Sequence, residues 1–460
     1  MMKKRFVSLL MAAVMVAGVA MTGCGNSAGN APAETTKQTT QTETPAENEA
    51  PAETETPAET PAEKEVLEFY HGYYHDASEW APAAVMREIY DNFAATYATG
   101  NVEFKAIPSE DIAGVVENNV AGGSYPDMID LAGASVSLAA MSQNLLVDMK
   151  PYIDAEGIQA NVGINYTQND VGGKIYTVHD QLLTLGYWYN EKILTDAGAT
   201  LPTTWQSWSD FDAAMEAVRA MGTDIYAYGA GQGSTRCFNA ILGTTEAGRQ
   251  MLTGVLTEDA INAPEFAEAF KTVAAMDQKN GSANASADAS DGANDWGADF
   301  NQEKSAVFFN GVWAAGGFSD ITNIRATVFP GNVSLSSASG GITIAAGMSA
   351  EKEALALEFV KYMTSDEVQT RIFKEVGANP CSTTLDLNAL VADADDKTKL
   401  LADACAQANA AQYVVPTLDA MWGTDIANAI GNKLIESTVS GTDIDAKFEE
   451  LKNELIGLIG

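Results

Sequence analysis

Val66-Leu67-Glu68-Phe69-Tyr70, Val102-Glu103-Phe104-Lys105-Ala106-Ile107 and Met128-Ile129-Asp130-Leu131 are three short apolar runs, and what separates them decides the fold. Between the first two, Met86, Ile89, Tyr90, Phe93 and Tyr97 recur at intervals of three and four, the period of a helix with one buried face. Between the second and third, Ser109 is placed to cap a helix running towards Gly122-Gly123. Strand, helix, strand, helix, strand predicts an α/β fold with parallel pairing and right-handed crossovers. Ligands gather outside the carboxyl ends of such strands. The loops 71–79 and 132–137 are therefore the first places to look for binding residues.

The same alternation continues outward. Ser209 reads as the cap of a helix bearing Phe211, Met215 and Val218, with Asp212 at the capping-box position. Residues 305–310 and 342–346 read as buried strands. Ser349 opens a helix carrying Leu355, Phe359, Tyr362 and Met363, and Ser365 opens another through Val368, Ile372 and Phe373. The chain ends in an amphipathic helix over 444–459. Residues 282–299 are rich in Ala, Ser, Asp and Gly; Asp288, Asp291, Asp295 and Asp299 lack the spacing of a calcium loop, so a surface loop is expected.

The opposite end has another character. Lys3, Lys4 and Arg5 precede an apolar run over 6–20, too short to span a bilayer but suited to an export signal. The run ends in Met21-Thr22-Gly23-Cys24, which resembles a lipobox and makes Cys24 the expected lipidation site. Residues 1–24 are thus expected to be a lipoprotein signal. In 25–65, Pro-Ala-Glu recurs at 32–34, 45–47, 51–53, 57–59 and 61–63. Such a segment has little to bury against the entropy of ordering, and an acidic, disordered tether is expected. As a flexible coil of about 40 residues it would reach roughly 35 Å. Its length matches the tethers of Gram-positive surface lipoproteins, so an extracytoplasmic chain anchored to the cell membrane is expected.

Composition limits the function further. About 395 residues follow the tether, more than one core usually serves, so two lobes are expected. A net charge of −36 argues against nucleic acid and anionic lipid, both of which call for basic patches. Cys237, Cys381 and Cys405 permit at most one internal disulfide, and none is spaced for a zinc or redox site.

Ordered motifs in the middle of the chain carry a family resemblance. Gly173-Lys174-Ile175-Tyr176 is followed by Tyr189-Asn190-Glu191-Lys192, Ala197-Gly198 and Leu201-Pro202-Thr203-Thr204-Trp205. Tyr125-Pro126-Asp127, Asn310-Gly311-Val312-Trp313 and Gly340-Gly341-Ile342 add to it. Together they resemble the extracellular solute-binding proteins of ABC importers, in the group that includes maltose-binding protein. Two places depart from that pattern: Phe300-Asn301-Gln302-Glu303-Lys304-Ser305-Ala306-Val307, and Thr177-Val178-His179 where the family often has a proline.

The resemblance implies a two-lobed periplasmic-binding-protein-like fold of type II, with a central cleft and several hinge crossovers. Lobe one would comprise 66–171 and 340–383, and lobe two 172–339 and 384–460. It also implies a monomeric, non-catalytic receptor that captures a sugar or oligosaccharide and delivers it to the permease subunits of an ABC transporter, without a cofactor. A polyamine or another small polar solute is the alternative cargo, since Asp76, Glu79 and Asp180 would suit a cation. A hydrolase would need two opposed carboxylates, but no H-E-x-x-H or P-loop pattern occurs, and 66–460 holds no G-x-S-x-G.

Expected ligand contacts follow from these placements. His71, Tyr73, Tyr74, His75 and Glu79 lie in the first loop, Ser135 in the second, and His179, Asp180 and Gln181 beside the hinge. Gln232, Arg236 and Asn239 follow Gly229-Ala230-Gly231. Trp313 and Trp422 resemble the family's sugar-stacking platforms, where a sugar's apolar face packs on a π surface. Core packing is the competing expectation for both, whereas Trp205 is expected to be structural. His71 and His75 are four apart, but a loop does not bring that spacing to one metal.

Overall fold

The computed structural model describes residues 64–131, 138–283, 297–338 and 340–459. Cys24, the tether, Ser135 and most of the Asp-rich stretch lie outside them. The five elements read from the opening runs are β1 (Glu65–His71), α1 (Ala81–Thr96), β2 (Val102–Pro108), α2 (Ile112–Ala121) and β3 (Met128–Asp130). β1 is parallel to β2, from Glu65 opposite Val102 to His71 opposite Pro108, and parallel to β3 on its other side. The strand Ile342–Ile344 closes the sheet antiparallel to β3, which brings residues from far along the chain into lobe one.

Both faces of that sheet are covered. On one, Met86, Ile89, Tyr90 and Phe93 of α1 pack with Leu67, Phe69, Phe104 and Phe359; the Phe359 ring lies 4.8 Å from Phe69 and 4.9 Å from Phe93. On the other, Val116 and Val120 of α2 pack with Ile129, Leu131 and Leu146. Ile175 and Val178 share the first cluster.

Two more sheets follow, one of three strands and one of four. In the former, Tyr187–Asn190 lies between Val307–Phe308 and Ile324–Thr327. The latter runs Asn379–Pro380, Gln181–Leu185, Val333–Ser337, Tyr413–Val415. Gly186 alone separates the strands of the two sheets, and its N–H donates to the Asn310 carbonyl at 3.3 Å. One large core takes in Tyr187, Phe211, Phe238, Phe266, Ile430 and Leu455. Another, on Trp188, Phe300 and Leu401, also holds Phe373.

The lobes are joined by crossing strands. Val178 bridges Ile342, and Leu183, Thr184 and Leu185 pair with Ser337, Ser336 and Leu335, so two segments run antiparallel between the sheets. Asn379–Pro380 pairs with Leu182 and Gln181 as a third crossing. Side chains tie the three together: Thr184 Oγ1 lies 2.7 Å from Ser336 Oγ, and Asn379 Nδ2 donates to Thr184 Oγ1 at 2.8 Å. Gly341 is required here. Its φ is +87°, and a Cβ would stand 2.3 Å from the Cα of His179.

Two helix starts differ from expectation by two residues. Asp111, not Ser109, caps α2, accepting from the Gly114 N–H at 2.8 Å. The helix Trp208–Arg219 is capped by Ser207, and the Asp210 carboxylate accepts from the Ser207 N–H at 2.9 Å. The box needs its acid three residues after the cap, which Ser207 and Asp210 satisfy with Trp208 already inside the helix. Ser349 and Ser365 do cap their helices. The expected strands over 305–310 and 342–346 are shorter, at Val307–Phe308 and Ile342–Ile344, while Ile444–Ile459 is one helix. Cys237, Cys381 and Cys405 are buried free thiols in three different core clusters. No helix among the described residues is long and apolar enough to cross a membrane.

Candidate functional site

His71 ends β1 and is buried against Tyr90, with ring centroids 4.9 Å apart. Its Nδ1 accepts from the Tyr73 N–H at 3.2 Å, which places the proton of the neutral ring on Nε2. Burial first, and the Arg87 charge second, lower its pKa to about 4. The turn that follows is fixed by Arg87 of α1, whose Nη1 donates to the carbonyls of Tyr73 (2.6 Å) and His75 (2.7 Å). Tyr73 is buried, and its hydroxyl accepts from the Gln181 side-chain amide, linking this loop to the hinge. Tyr74 stacks on His75 at 4.1 Å, and His75 Nδ1 lies 3.5 Å from the exposed Glu79 carboxylate.

Trp80 belongs to this group and is absent from the expected contacts. It caps α1 from extended backbone, stacks on Tyr73 at 5.4 Å with 19° between planes, and meets His75 edge-on at 6.0 Å. The available signal was its place beside Tyr73 and Tyr74, one residue before the Ala81-Pro82 helix start.

His179 and Asp180 stand at the entrance of the crossing strand. Asn165 holds the His179 main chain from both sides, and the Gln369 amide donates to the Asp180 carbonyl at 2.6 Å. Burial lowers the His179 pKa to about 4 and raises that of Asp180, with Asp130 adding to the latter. Thus His71, Tyr73, Tyr74, His75, Glu79, His179, Asp180 and Gln181 do come together, at the carboxyl end of β1 and the head of the hinge.

The second group lies on lobe two. Tyr228–Gly229 leads through Gly231, at φ +87°, into the helix Gln232–Thr244; Ile435 packs over Gly231 so closely that a Cβ would meet it at 2.3 Å. Gln232 opens the helix. Arg236 Nη1 donates to the Phe309 carbonyl at 3.1 Å, beside Asn310-Gly311. Trp313 is 40 % exposed, its ring lying over Gly311. Leu185, at the far end of the strand from Gln181, bridges Gly311. Along a strand those four steps span about 13 Å, so the two groups flank one stretch of hinge.

Two expected contacts are corrected. Trp422 is a core residue: it is 7 % exposed, stacks on Phe266 at 6.0 Å, and its N–H donates to the carbonyls of Met251 and Gly254. Asn239 is a buried clamp, its Oδ1 accepting from the Leu418 N–H at 3.0 Å and its Nδ2 donating to the Pro416 carbonyl at 3.2 Å. Trp422 is consumed by packing on Phe266 and the 251–254 turn, and Asn239 by joining its helix to the 416–418 segment. Trp205 is buried as expected, its N–H on Thr200. No cluster of three metal-ligating side chains occurs among the described residues.

Two lobes around crossing strands, with polar and aromatic side chains at their junction, define a solute receptor. The chain belongs to the bacterial extracellular solute-binding protein family, whose pattern matches residues 88–399. A Streptococcus pneumoniae solute-binding protein, solved in complex with the blood group A-trisaccharide, is 47 % identical; the match covers 85 % of this chain and all of that one, with a TM-score of 0.73. A probable secreted solute-binding lipoprotein from Streptomyces coelicolor shares the fold at 17 % identity, 85 % and 98 % coverage and a TM-score of 0.68. The sugar-binding protein MalE of Xanthomonas citri does so at 19 %, 86 % and 97 %, and 0.66. No curated protein matches the chain. By its family membership the chain is a solute-binding receptor rather than an enzyme.

Proposed function

We propose that this protein is a lipid-anchored receptor that captures an oligosaccharide between its lobes and hands it to an ABC permease. The observation that carries the reading is the 47 % identity, over 85 % of the chain, to a protein solved with a trisaccharide. The Tyr73–Trp80–His75 group and the exposed Trp313 supply aromatic surface, and Gln181, Asp180 and Glu79 supply polar groups for hydroxyls. Lobe one takes 66–171 and 340–383, and lobe two takes 172–339 and 384–460. A solute touching both favours the closed form by its differential affinity for it. Cys24 carries the lipid, and 25–65 is the tether that lets a monomer reach the permease from a Gram-positive surface.

The test is thermal shift and tryptophan fluorescence of the full chain against the blood group A trisaccharide, other neutral oligosaccharides and spermidine. Saturation at 100–1,000 times Kd adds roughly 3–4 kcal/mol of apparent stability. A shift with spermidine and with no sugar overturns the carbohydrate reading.

A further inference from the structure

Asp130 and Asp180 come from distant parts of the chain and meet where the lobe-one sheet joins the hinge. Asp130 ends β3 and pairs with Ile342; Asp180 lies two residues beyond Val178, which bridges the same Ile342. They are 3 % and 2 % exposed. Asp180 Oδ1 has no hydrogen-bond partner among the described residues, and neither does the hydroxyl of the buried Tyr90. Both carboxyl groups act on Tyr90 and on Tyr73, which places all four side chains in one neighbourhood. Arg87, the cation that acts on His71, donates to the carbonyls of Tyr73 and His75. Burial and Asp130 are the main influences on Asp180, opposed only by its own amide.

A buried oxygen or phenol without a partner costs free energy that a suitable incoming group recovers. A sugar hydroxyl, at once donor and acceptor, suits a carboxyl oxygen and a phenol together. A carboxylate only accepts, and although burial keeps a proton on Asp180, the negative charge left on the pair meets a like charge in a region of low dielectric where repulsion is poorly screened. We infer that the Asp130–Asp180 pair makes this receptor select uncharged sugars over the same sugars bearing a carboxylate. Such selection presupposes the carbohydrate-receptor role proposed above.

The experiment is calorimetric titration of the full chain with two ligands: the blood group A trisaccharide, and the same trisaccharide with one hexose oxidised to its C6 carboxylate. The neutral form binds, and the acidic form binds about tenfold more weakly or worse, as like-charge juxtaposition at an interface demands. In Asp130→Asn/Asp180→Asn, with folding checked by circular dichroism, the ratio of the two affinities moves towards one. Equal binding of both ligands by the wild type overturns the inference, and so does an unchanged ratio in a folded double variant. Should the double variant not fold, the wild-type ratio and Asp130→Asn alone carry the same decision. If neither trisaccharide nor any neutral oligosaccharide of the panel binds, the receptor role itself falls, and selection with it.

Discussion

His71 and His179 are neutral at pH 7 in the folded chain, because burial holds both pKa values at about 4. Unfolding returns them to about 6.5, so the unfolded chain takes up protons that the folded one refuses. Their contribution, on the order of 3 kcal/mol each, is complete above pH 6.5 and is lost as pH falls towards 4. Asp180 has the opposite sign: its raised pKa lets the folded chain keep a proton that the unfolded chain releases above 3.8, so acidification favours folding there. With two groups against one, the melting temperature should fall between pH 6.5 and 4, and Asp180→Asn should steepen that fall by removing the opposing group. A shallower profile in Asp180→Asn would contradict the assignment. The two tryptophans should separate as cleanly. Trp422→Ala leaves a hole beside Phe266 and should cost about 3–5 kcal/mol in urea unfolding. Trp313→Ala, at an exposed site, should change stability by about 0.5 kcal/mol or less and weaken sugar binding instead.

At the scale of elements, Ser207→Ala should lower stability by about 1 kcal/mol, whereas Ser209→Ala should be nearly silent. Differential scanning calorimetry of the two variants reads the difference directly. Gly341→Ala should cost about 1–3 kcal/mol from its backbone conformation alone, and more from the encounter with His179. Local signals such as these explain what was legible beforehand. The apolar stripe of α1 and the runs of β1, β2 and β3 carry their periods within a few residues, and they appear where the pattern put them. The shift from Ser209 to Ser207 arose because serines stand at both positions and only the reach of Asp210 chooses between them. The candidate site was legible where it follows a strand end, as at His71 and Tyr73. It was not legible at Trp422 or Asn239, whose burial depends on Phe266, Met251 and Pro416, far away in the chain. Trp80 escaped because its partner Tyr73 is met only after the chain has turned.

On the scale of the whole molecule, the proposed tether and lipid at Cys24 predict a separable function. Cys24→Ala should release the protein from the membrane fraction, with sugar affinity in solution unchanged; loss of affinity as well would mean that the anchor does more than hold. The three crossing segments impose a further property. They are bonded laterally by main chain and by Thr184, Ser336 and Asn379, so none can slide past its neighbours without breaking several bonds together. Such a ribbon behaves as a torsion bar: it twists readily about its long axis and resists shear and stretch. Twist of that ribbon is therefore the softest motion its bonding leaves to the lobes, and one dihedral angle is the coordinate to measure.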